Sequence, residues 1–495
     1  MESGPVPELA EPARACAQRL CSAEAVVLAS HIDADGLTSA GIASTALARA
    51  GIPHDVVFKK QLDEAAIADI AARPRETVLF TDFGSGQLDI IADHEAAGDF
   101  EVVIADHHQP ADADTEFHMN PLLVGLDGAS ELSGAGTAYV LARALATAAD
   151  EQEPLRVTGG ERAADGGRVD NRDLAALAVV GAVGDMQATG DGLVGANRGV
   201  VDEGVEVGVL SEKTDLALYG TQTRPLPKLL EYASEVRIPG ISNDQQGAME
   251  FLGGLDIDAR ADGDWRRWVD LSDEERQAVV SGLLQRALRS GVPAEKAQRL
   301  VGTTYTLQEE QAGTELRDAS EFSTLLNATA RYERADVGLA VCLGNREDAL
   351  ERARRLLTNH RRNLSEGLDV VKQQGVERAD HLQWFDAGGQ IRETIVGIVA
   401  GMALGVEGVD GDRPIVAFAR KTDPDGDPET KVSARATGRL VGRGLDLSAV
   451  VGEAARAVGG DGGGHDIAAG ATIPAGKREP FLDHADALVA EQVGE

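Results

Sequence analysis

Short apolar runs alternate with helical stretches through the first third of this chain, and that alternation limits the fold more than any other feature. Residues 25–29, 55–58, 77–81 and 101–105 read as strands, and the first is followed by a helical pattern over 37–50. Strands separated by helices predict a parallel α/β sheet with strands joined by crossovers. A further helix is predicted over 133–148. Segment 151–171 is Gly- and charge-rich without periodicity and is expected to be a loop, and 174–183 is continuously apolar up to Gly184-Asp185.

Acidic and imidazole side chains gather at the ends of these elements. His31, Asp33 and Asp35 follow the first run, and Asp82 follows the third. Asp106, His107 and His108 follow the fourth, and Asp185 follows the apolar segment 174–183. In open parallel sheets the ligand crevice lies beyond the carboxyl ends of the strands, so these side chains can converge there. Taken singly, each reads as a capped turn; four such signals in one region do not. Two carboxylates 4 Å apart repel by about 4 kcal/mol at an effective dielectric of 20. A cluster of Asp33, Asp35, Asp82 and Asp185 would multiply that cost, and divalent cations offset it. Oxygen-rich ligation with one or two imidazoles suits Mn²⁺ or Mg²⁺ better than a thiolate zinc site.

Together, His31-Ile32-Asp33-Ala34-Asp35-Gly36, Asp82, Asp106-His107-His108 and Gly184-Asp185 resemble the four ordered motifs of the DHH phosphoesterase superfamily. Ser133-Gly134-Ala135-Gly136-Thr137 is similar to the small-residue helix start that follows the third motif. Gly462-Gly463-Gly464-His465 with Ala468-Ala469-Gly470 resembles the signature of the DHH-associated C-terminal domain. The resemblance covers roughly 22–200 and 380–475, and the length with an insertion between the halves resembles archaeal RecJ-like exonucleases more than the compact nanoRNA and cyclic-dinucleotide hydrolases.

The resemblance implies a parallel-sheet DHH domain over 1–205, a helix-rich inserted region over 206–375, and a smaller α/β C-terminal domain over 376–495. It implies that Asp33 and Asp35 each hold a different metal, that Asp82 bridges the two, and that His107 and Asp185 complete the second ion. His31 is implied as a further metal ligand, at a place where bacterial RecJ commonly has Asp. Asp106 would support the histidines, and His108 would contact the scissile phosphate. The implied activity is two-metal hydrolysis of single-stranded DNA or RNA by an exonuclease using Mn²⁺ or Mg²⁺, in replication, repair or RNA turnover. A short-oligonucleotide hydrolase or nucleotide phosphatase, and a scaffold that binds the GINS replisome complex, stay open beside it.

Arg435 matches an Arg that family members direct at a substrate phosphate. With Lys431 and Ser433 it would lie on one strand face, because side chains alternate along a strand. Gly462, Gly463 and Gly464 followed by His465 would offer successive N–H groups plus an imidazole, the makings of an anion-binding nest. A helical pattern over 391–404 and strands at 414–418 and 432–436 complete this last unit. Five arginines between 352 and 362 without an acid suggest either ion-paired helix surface or a nucleic-acid contact. Trp265, Trp268, Trp384 and Tyr305 offer either core packing or base stacking.

Charge decides less than its size suggests. Asp and Glu total 82 against 47 Lys and Arg, for a net of −35, and nine of the 47 are Lys. Such a carboxylate excess resembles adaptation to a salt-rich cytoplasm, where the screening length falls to about 3 Å at 1 M. Molar salt also removes most of the counterion-release advantage of a basic surface, so the charge neither favours nor excludes a nucleic-acid substrate. The three cysteines lack a disulfide framework or a zinc-ribbon spacing, and Cys16 and Cys21 are expected to be buried. No apolar run approaches the ~18 residues a membrane span needs, and the N-terminus lacks a signal pattern; a soluble cytoplasmic protein is expected.

Overall fold

The computed structural model describes residues 4–152, 170–233, 236–406, 408–421 and 428–493. The loop expected over 151–171 therefore lies outside the described residues except at its ends. The chain forms two compact units, Met1–Arg354 and Arg355–Glu495.

Unit 1 is built on five parallel strands, β1 (Val26–His31), β2 (His54–Lys59), β3 (Thr77–Thr81), β4 (Glu101–Ala105) and β5 (His118–Met119), in the order β2-β1-β3-β4-β5. The three central strands are buried on both faces, so they read as continuous apolar runs rather than alternating ones. On one face Val27, Ala29, Val78, Phe80, Val102 and Ile104 pack with Ile67, Ile70, Leu88 and Ile91 of α3 (Glu64–Ala71) and α4 (Leu88–Ala97). The other face carries α1 (Ala10–Ser22), α2 (Ala34–Arg49) and α5 (Gly134–Gln152).

Two helix starts lie at the carboxyl edge of this sheet, and both are capped by a side chain. Asp33 is the N-cap of α2, its Oδ1 accepting from Gly36 N at 3.0 Å. The helix thus begins three residues before the periodicity suggests, and Asp35 lies in its first turn. Ser133 Oγ likewise accepts from Gly136 N at 3.1 Å at the start of α5. The apolar segment 174–183 is helix α6 (Ala175–Gly184), whose C-cap is Asp185, and α7 (Ala196–Glu206) follows.

An antiparallel ribbon, β6 (Leu210–Leu216) with the later Val301–Leu307, brackets the inserted segment. Between them lie α8 (Leu226–Glu231), α9 (Gln245–Gly253), the hairpin β7 (Arg260–Ala261) and β8 (Asp264–Trp265), α10 (Asp273–Arg289) and α11 (Ala294–Gln298), which makes Val301–Leu307 β9. This segment has its own core of Leu226, Leu229, Leu230, Trp268, Val279 and Leu283. The chain then returns through α12 (Ala319–Arg331), which packs on α6 and α2, and α13 (Ala335–Cys342) to α14 (Asp348–Gln374). The arginine cluster 352–362 lies on α14, where Arg354 Nη2 sits 2.9 Å from Glu315 and Arg362 donates to Asn359. The three cysteines are buried and free.

Unit 2 is a six-stranded mixed sheet of β10 (Glu377–Arg378), β11 (Gln383–Asp386), β12 (Ile415–Lys421), β13 (Glu429–Arg435), β14 (Asp461–Gly464) and β15 (Ala468–Pro474), in the order β10-β11-β12-β13-β15-β14. Helix α15 (Val396–Ala403) covers one face. The short α16 (Gly438–Val441) leads to α17 (Leu447–Ala457), which covers the other face with α18 (Arg478–Val493).

Glu321 of α12 is fully buried and ties the inserted segment to the sheet domain. Its carboxylate accepts from Gln222 N at 2.8 Å and Thr223 Oγ1 at 2.5 Å. Burial pushes its pKa from 4.5 up to about 7, with buried Asp318 adding repulsion. The unfolded chain therefore releases this proton first, and the group's contribution is complete below pH 4.5 and lost as pH rises through 7. That loss amounts to roughly 3 kcal/mol across the window. Glu321→Gln is expected to flatten the fall of unit 1's urea midpoint between pH 4.5 and 7; a variant with the wild-type slope would contradict this account.

Candidate metal centre

Asp35 and Asp82 are each 2 % exposed at the carboxyl edge of the parallel sheet, and the rest of the site is arranged around them. Asp35 Oδ2 accepts from Gly134 N at 2.7 Å and Oδ1 from Ala135 N at 3.0 Å. The first turn of α5, with its unpaired N–H groups, thus seats one carboxylate. Asp82 leaves β3 with φ 58°, a left-handed conformation that Asp tolerates better than most residues. A Cβ on Gly134 would lie 2.4 Å from Asp82 Oδ1, and one on Gly181 would lie 2.5 Å from Asp35 Oδ1. The small residues at the start of α5 and in α6 are therefore what allow the two acids to sit this deep.

Around this pair the ligand atoms fall into groups within 4.8 Å of one another: His31, Asp33 and Asp82; Asp35, His107 and Asp185; and Asp82, Asp106, His107 and His108. His31 Nδ1 is 3.2 Å from Asp33 Oδ2 and 3.6 Å from Asp82 Oδ2. On the other side of Asp82, His107 Nε2 is 3.3 Å from its Oδ1 and 3.7 Å from Asp35 Oδ2. Asp82 thus turns one oxygen towards each histidine. Asp185 Oδ2 is 3.8 Å from His107 Nδ1.

Asp106 is fully buried, but its oxygens are already engaged. They accept from Ser85 N at 2.9 Å, His107 N at 2.8 Å, His108 N at 3.3 Å and His108 Nδ1 at 2.8 Å. Burial opposes its ionisation, yet the bond from His108 holds its pKa below the usual carboxylate range. Asp106 is therefore a brace for the two histidines. His108 has a side chain 55 % exposed, so its Nε2 is the nitrogen left for an outside partner. The bond to Asp106 raises its pKa and favours the doubly protonated, donating form.

The protonation pattern tests whether these residues fit a cation. Burial, with Asp82 and Asp185 nearby, raises Asp35 well above its ordinary value, and burial lifts Asp185 to about 6. His31 and His107 are pushed up to about 11, against the effect of burial, by hydrogen bonds and charge from Asp33 and Asp82 and from Asp82 and Asp35. Burial opposes the charge on Asp82, but the bonds from His107 and His31 keep it ionised. The cluster draws in protons to offset its negative charge. A divalent cation does the same job with better-directed bonds, and binding one releases those protons. The donor set is oxygen-rich with two imidazoles, and it fits hard divalent ions.

Two contributors carry no sequence motif. Asn327 of α12 accepts from Ala34 N at 3.1 Å, pinning the turn that presents Asp33. Arg331, one turn further along α12, is exposed. Burial lowers its pKa and the charge of Asp33 raises it, so the two side chains are in electrostatic reach. Among the described residues it makes no ion pair.

In unit 2, Lys431, Ser433 and Arg435 share one face of β13, while Val432 and Ala434 enter the core on the other. A Cβ on Gly397 of α15 would lie 2.6 Å from Arg435 Nη2 and 3.1 Å from Ser433 Oγ, so the helix's small residues make room for both. Gly462, Gly463 and Gly464 differ from the expected nest. They form β14, an edge strand paired residue by residue with Ala471, Gly470 and Ala469. Pairing requires extended backbone, which spreads successive N–H groups to opposite sides instead of converging them. His465 is exposed in the turn beyond, its N bonded to Ala468 O at 2.9 Å. Trp268, Tyr305 and Trp384 are core residues. Tyr305 OH accepts from Leu193 N at 2.7 Å. Trp265 is partly exposed, with Arg260 3.9 Å over its ring.

Three family models match the chain: the DHH family N-terminal domain over residues 25–159, the DHH-CID domain over 218–301 and the DHHA1 domain over 384–491. An uncharacterised protein of Methanocaldococcus jannaschii is 26% identical over 471 residues, 94% of this chain and 93% of its own. Among solved structures, exonuclease RecJ bound to manganese is similar with TM-score 0.56 and 19% identity, covering 99% of this chain and 96% of that one. RecJ from Thermus thermophilus in complex with Mn²⁺ has TM-score 0.58 at 19% identity over 99% of this chain, which spans 55% of its length. CDC45 from Entamoeba histolytica has TM-score 0.60 at 11% identity, over 98% of both chains. At these identities the structural likeness concerns the fold, which is RecJ-like. The three domain matches, in this order and together spanning most of the chain, show that it belongs to the DHH family of phosphoesterases.

Proposed function

We propose that this protein is a metal-dependent exonuclease that hydrolyses phosphodiester bonds of single-stranded DNA or RNA. The observation that carries this reading is Asp82, a buried carboxylate that turns one oxygen to each of two ligand groups. Its neighbours divide into His31 and Asp33 on one side and Asp35, His107 and Asp185 on the other. Bound there, two Mn²⁺ or Mg²⁺ ions would activate water and stabilise the attacking and leaving oxygens of an in-line displacement.

The remaining steps belong to the chain's own side chains. Asp33 and His31 form the open side of the site, where a substrate phosphate can enter. His108, held by Asp106, donates from Nε2 to a phosphate oxygen, and Arg331 offers a guanidinium beside Asp33. On the unit 2 sheet, Ser433, Arg435 and the exposed His465 serve to hold the polynucleotide, so that 1–205 performs chemistry and 376–495 binding. The acid-rich composition suits work at high salt, where directed bonds of this kind outlast general charge attraction. A scaffold role, with the GINS complex as partner, is the second reading carried by the sequence resemblance. The intact ligand set favours an enzyme, which can also dock to such a partner.

Asp82→Asn preserves side-chain shape and tolerance of positive φ. It is expected to slow degradation of end-labelled single-stranded oligonucleotides in Mn²⁺ at high salt by about 10²–10³-fold, with an unchanged circular dichroism spectrum. Turnover near wild type would remove the basis for the reading. Arg331→Ala and Arg435→Ala each delete a charge-assisted contact, worth roughly 1.5–3 kcal/mol. Both should raise KM for oligonucleotides about ten-fold or more while Mn²⁺ affinity stays the same; an unchanged KM refutes the contact for that residue.

A further inference from the structure

Two residues past Asp185 lies a buried amide that the metal ligands do not account for. Gln187 is 3 % exposed, and both its amide nitrogen and its oxygen are bonded inside the protein. Its Nε2 donates to Asp185 Oδ2 and to Gly128 O, both at 2.9 Å. Its Oε1 accepts from Asn197 Nδ2 at 2.6 Å. The orientation of the amide follows from the partners. A carboxylate and a carbonyl only accept, so the NH₂ end must face them, and the Asn197 amine then meets the oxygen.

Gly128 O is shared. It also accepts from His107 Nδ1 at 2.7 Å, so both of its lone pairs are used. A carbonyl partner requires the proton of a neutral imidazole to sit on Nδ1, which leaves the Nε2 lone pair directed at the space between Asp35 and Asp82. One amide therefore connects the carboxylate of Asp185 with the carbonyl that fixes the His107 tautomer. Asn197, itself buried in the first turn of α7 with its N donating to Glu131 O at 2.6 Å, holds that amide in place.

The other side of the centre is held through the backbone and is more open: Asp33 Oδ1 accepts from Gly36 N at 3.0 Å and Asn327 holds Ala34 N at 3.1 Å, and no buried amide of the Gln187 kind bonds Asp33 or His31 among the described residues. His31 and Asp33 have side chains 30% and 44% exposed, and the polar contacts of His31 are with Asp33 and Asp82.

We propose that Gln187, held by Asn197, is a positioning residue that sets the affinity of the centre for one of its two ions, the one taken by Asp35, His107 and Asp185. The proposal rests on the two-ion reading above. Without the Nε2–H donor, Asp185 loses its fixed rotamer and Gly128 O loses one of its two partners, so the ligand and the tautomer loosen together. The ion on the His31 and Asp33 side is untouched by this network. The two ions therefore differ in how firmly they are held: the braced ion stays, and the open one exchanges.

The test is calorimetric titration of Mn²⁺ into the metal-stripped full-length protein at high salt. Wild type is expected to bind two ions of unequal affinity. Gln187→Met and Gln187→Leu stay close to the native volume but donate nothing. Each should weaken the tighter ion about 10–100-fold, the usual effect of removing a partner behind a ligand, and leave the weaker one alone. Asn197→Ala retains Gln187 but frees its amide; it should weaken the same ion by a smaller factor, and it carries the test if a Gln187 variant fails to fold. Lower thermal stability with both Mn²⁺ affinities unchanged would show that the network only packs the loop, and would overturn the proposal. Wild type binding no Mn²⁺ would overturn the metal reading itself, and the proposal with it.

Discussion

Burying Asp35 and Asp82 side by side is the constraint on which unit 1 depends. Neither acid can sit below the surface at the sheet edge unless its charge is offset, and nearly every unusual local feature serves that end. The start of α5 turns two N–H groups onto Asp35. Glycines in α5 and α6 clear the volume the carboxylates fill. Asp82 adopts a left-handed backbone to bring one oxygen to each histidine. The remaining negative charge is left for protons or cations.

This organisation explains why acids so close in space have separate duties. Asp106 has four N–H donors on its two oxygens, which leaves it little to offer an ion. Asp33 gives one oxygen to the α2 N-terminus and turns the other to His31, a neighbour in the same ligand group. Among the described residues Asp185 has a single side-chain donor, Gln187. Counting the lone pairs already committed thus separates a carboxylate that braces from one that is ready to bind.

Much of this was legible in the sequence because strand ends and acidic residues coincide. The alternation of apolar runs placed β1, β3 and β4 within a residue or two, and the acids beyond them lay in short contiguous motifs. The helix α6 was harder, since a segment buried all round shows no periodicity to tell helix from strand. Asn327, Arg331 and Gln187 left no trace. Asn327 reaches Ala34 across 293 positions, and a single Asn or Arg on a helix looks like any surface residue until the fold brings it to the site. The glycines of β14 misled for a related reason. A Gly run is compatible with almost any backbone, and only the pairing with β15 selects extended chain.

The ribbon of β6 and β9 has a consequence for how such a protein can change. Leu216 pairs with Val301, so the segment matched by the DHH-CID model, 218–301, leaves and re-enters the sheet domain at neighbouring points. Closing a loop whose ends are already held together costs little more when the loop is lengthened, about 0.6 kcal/mol per doubling. The inserted segment also carries its own core. Its length and surface are therefore free to diverge while the doorway stays the same width, much as an appliance is exchanged on an unchanged socket. The parallel sheet and whatever the insertion engages can in this way follow separate histories within one chain.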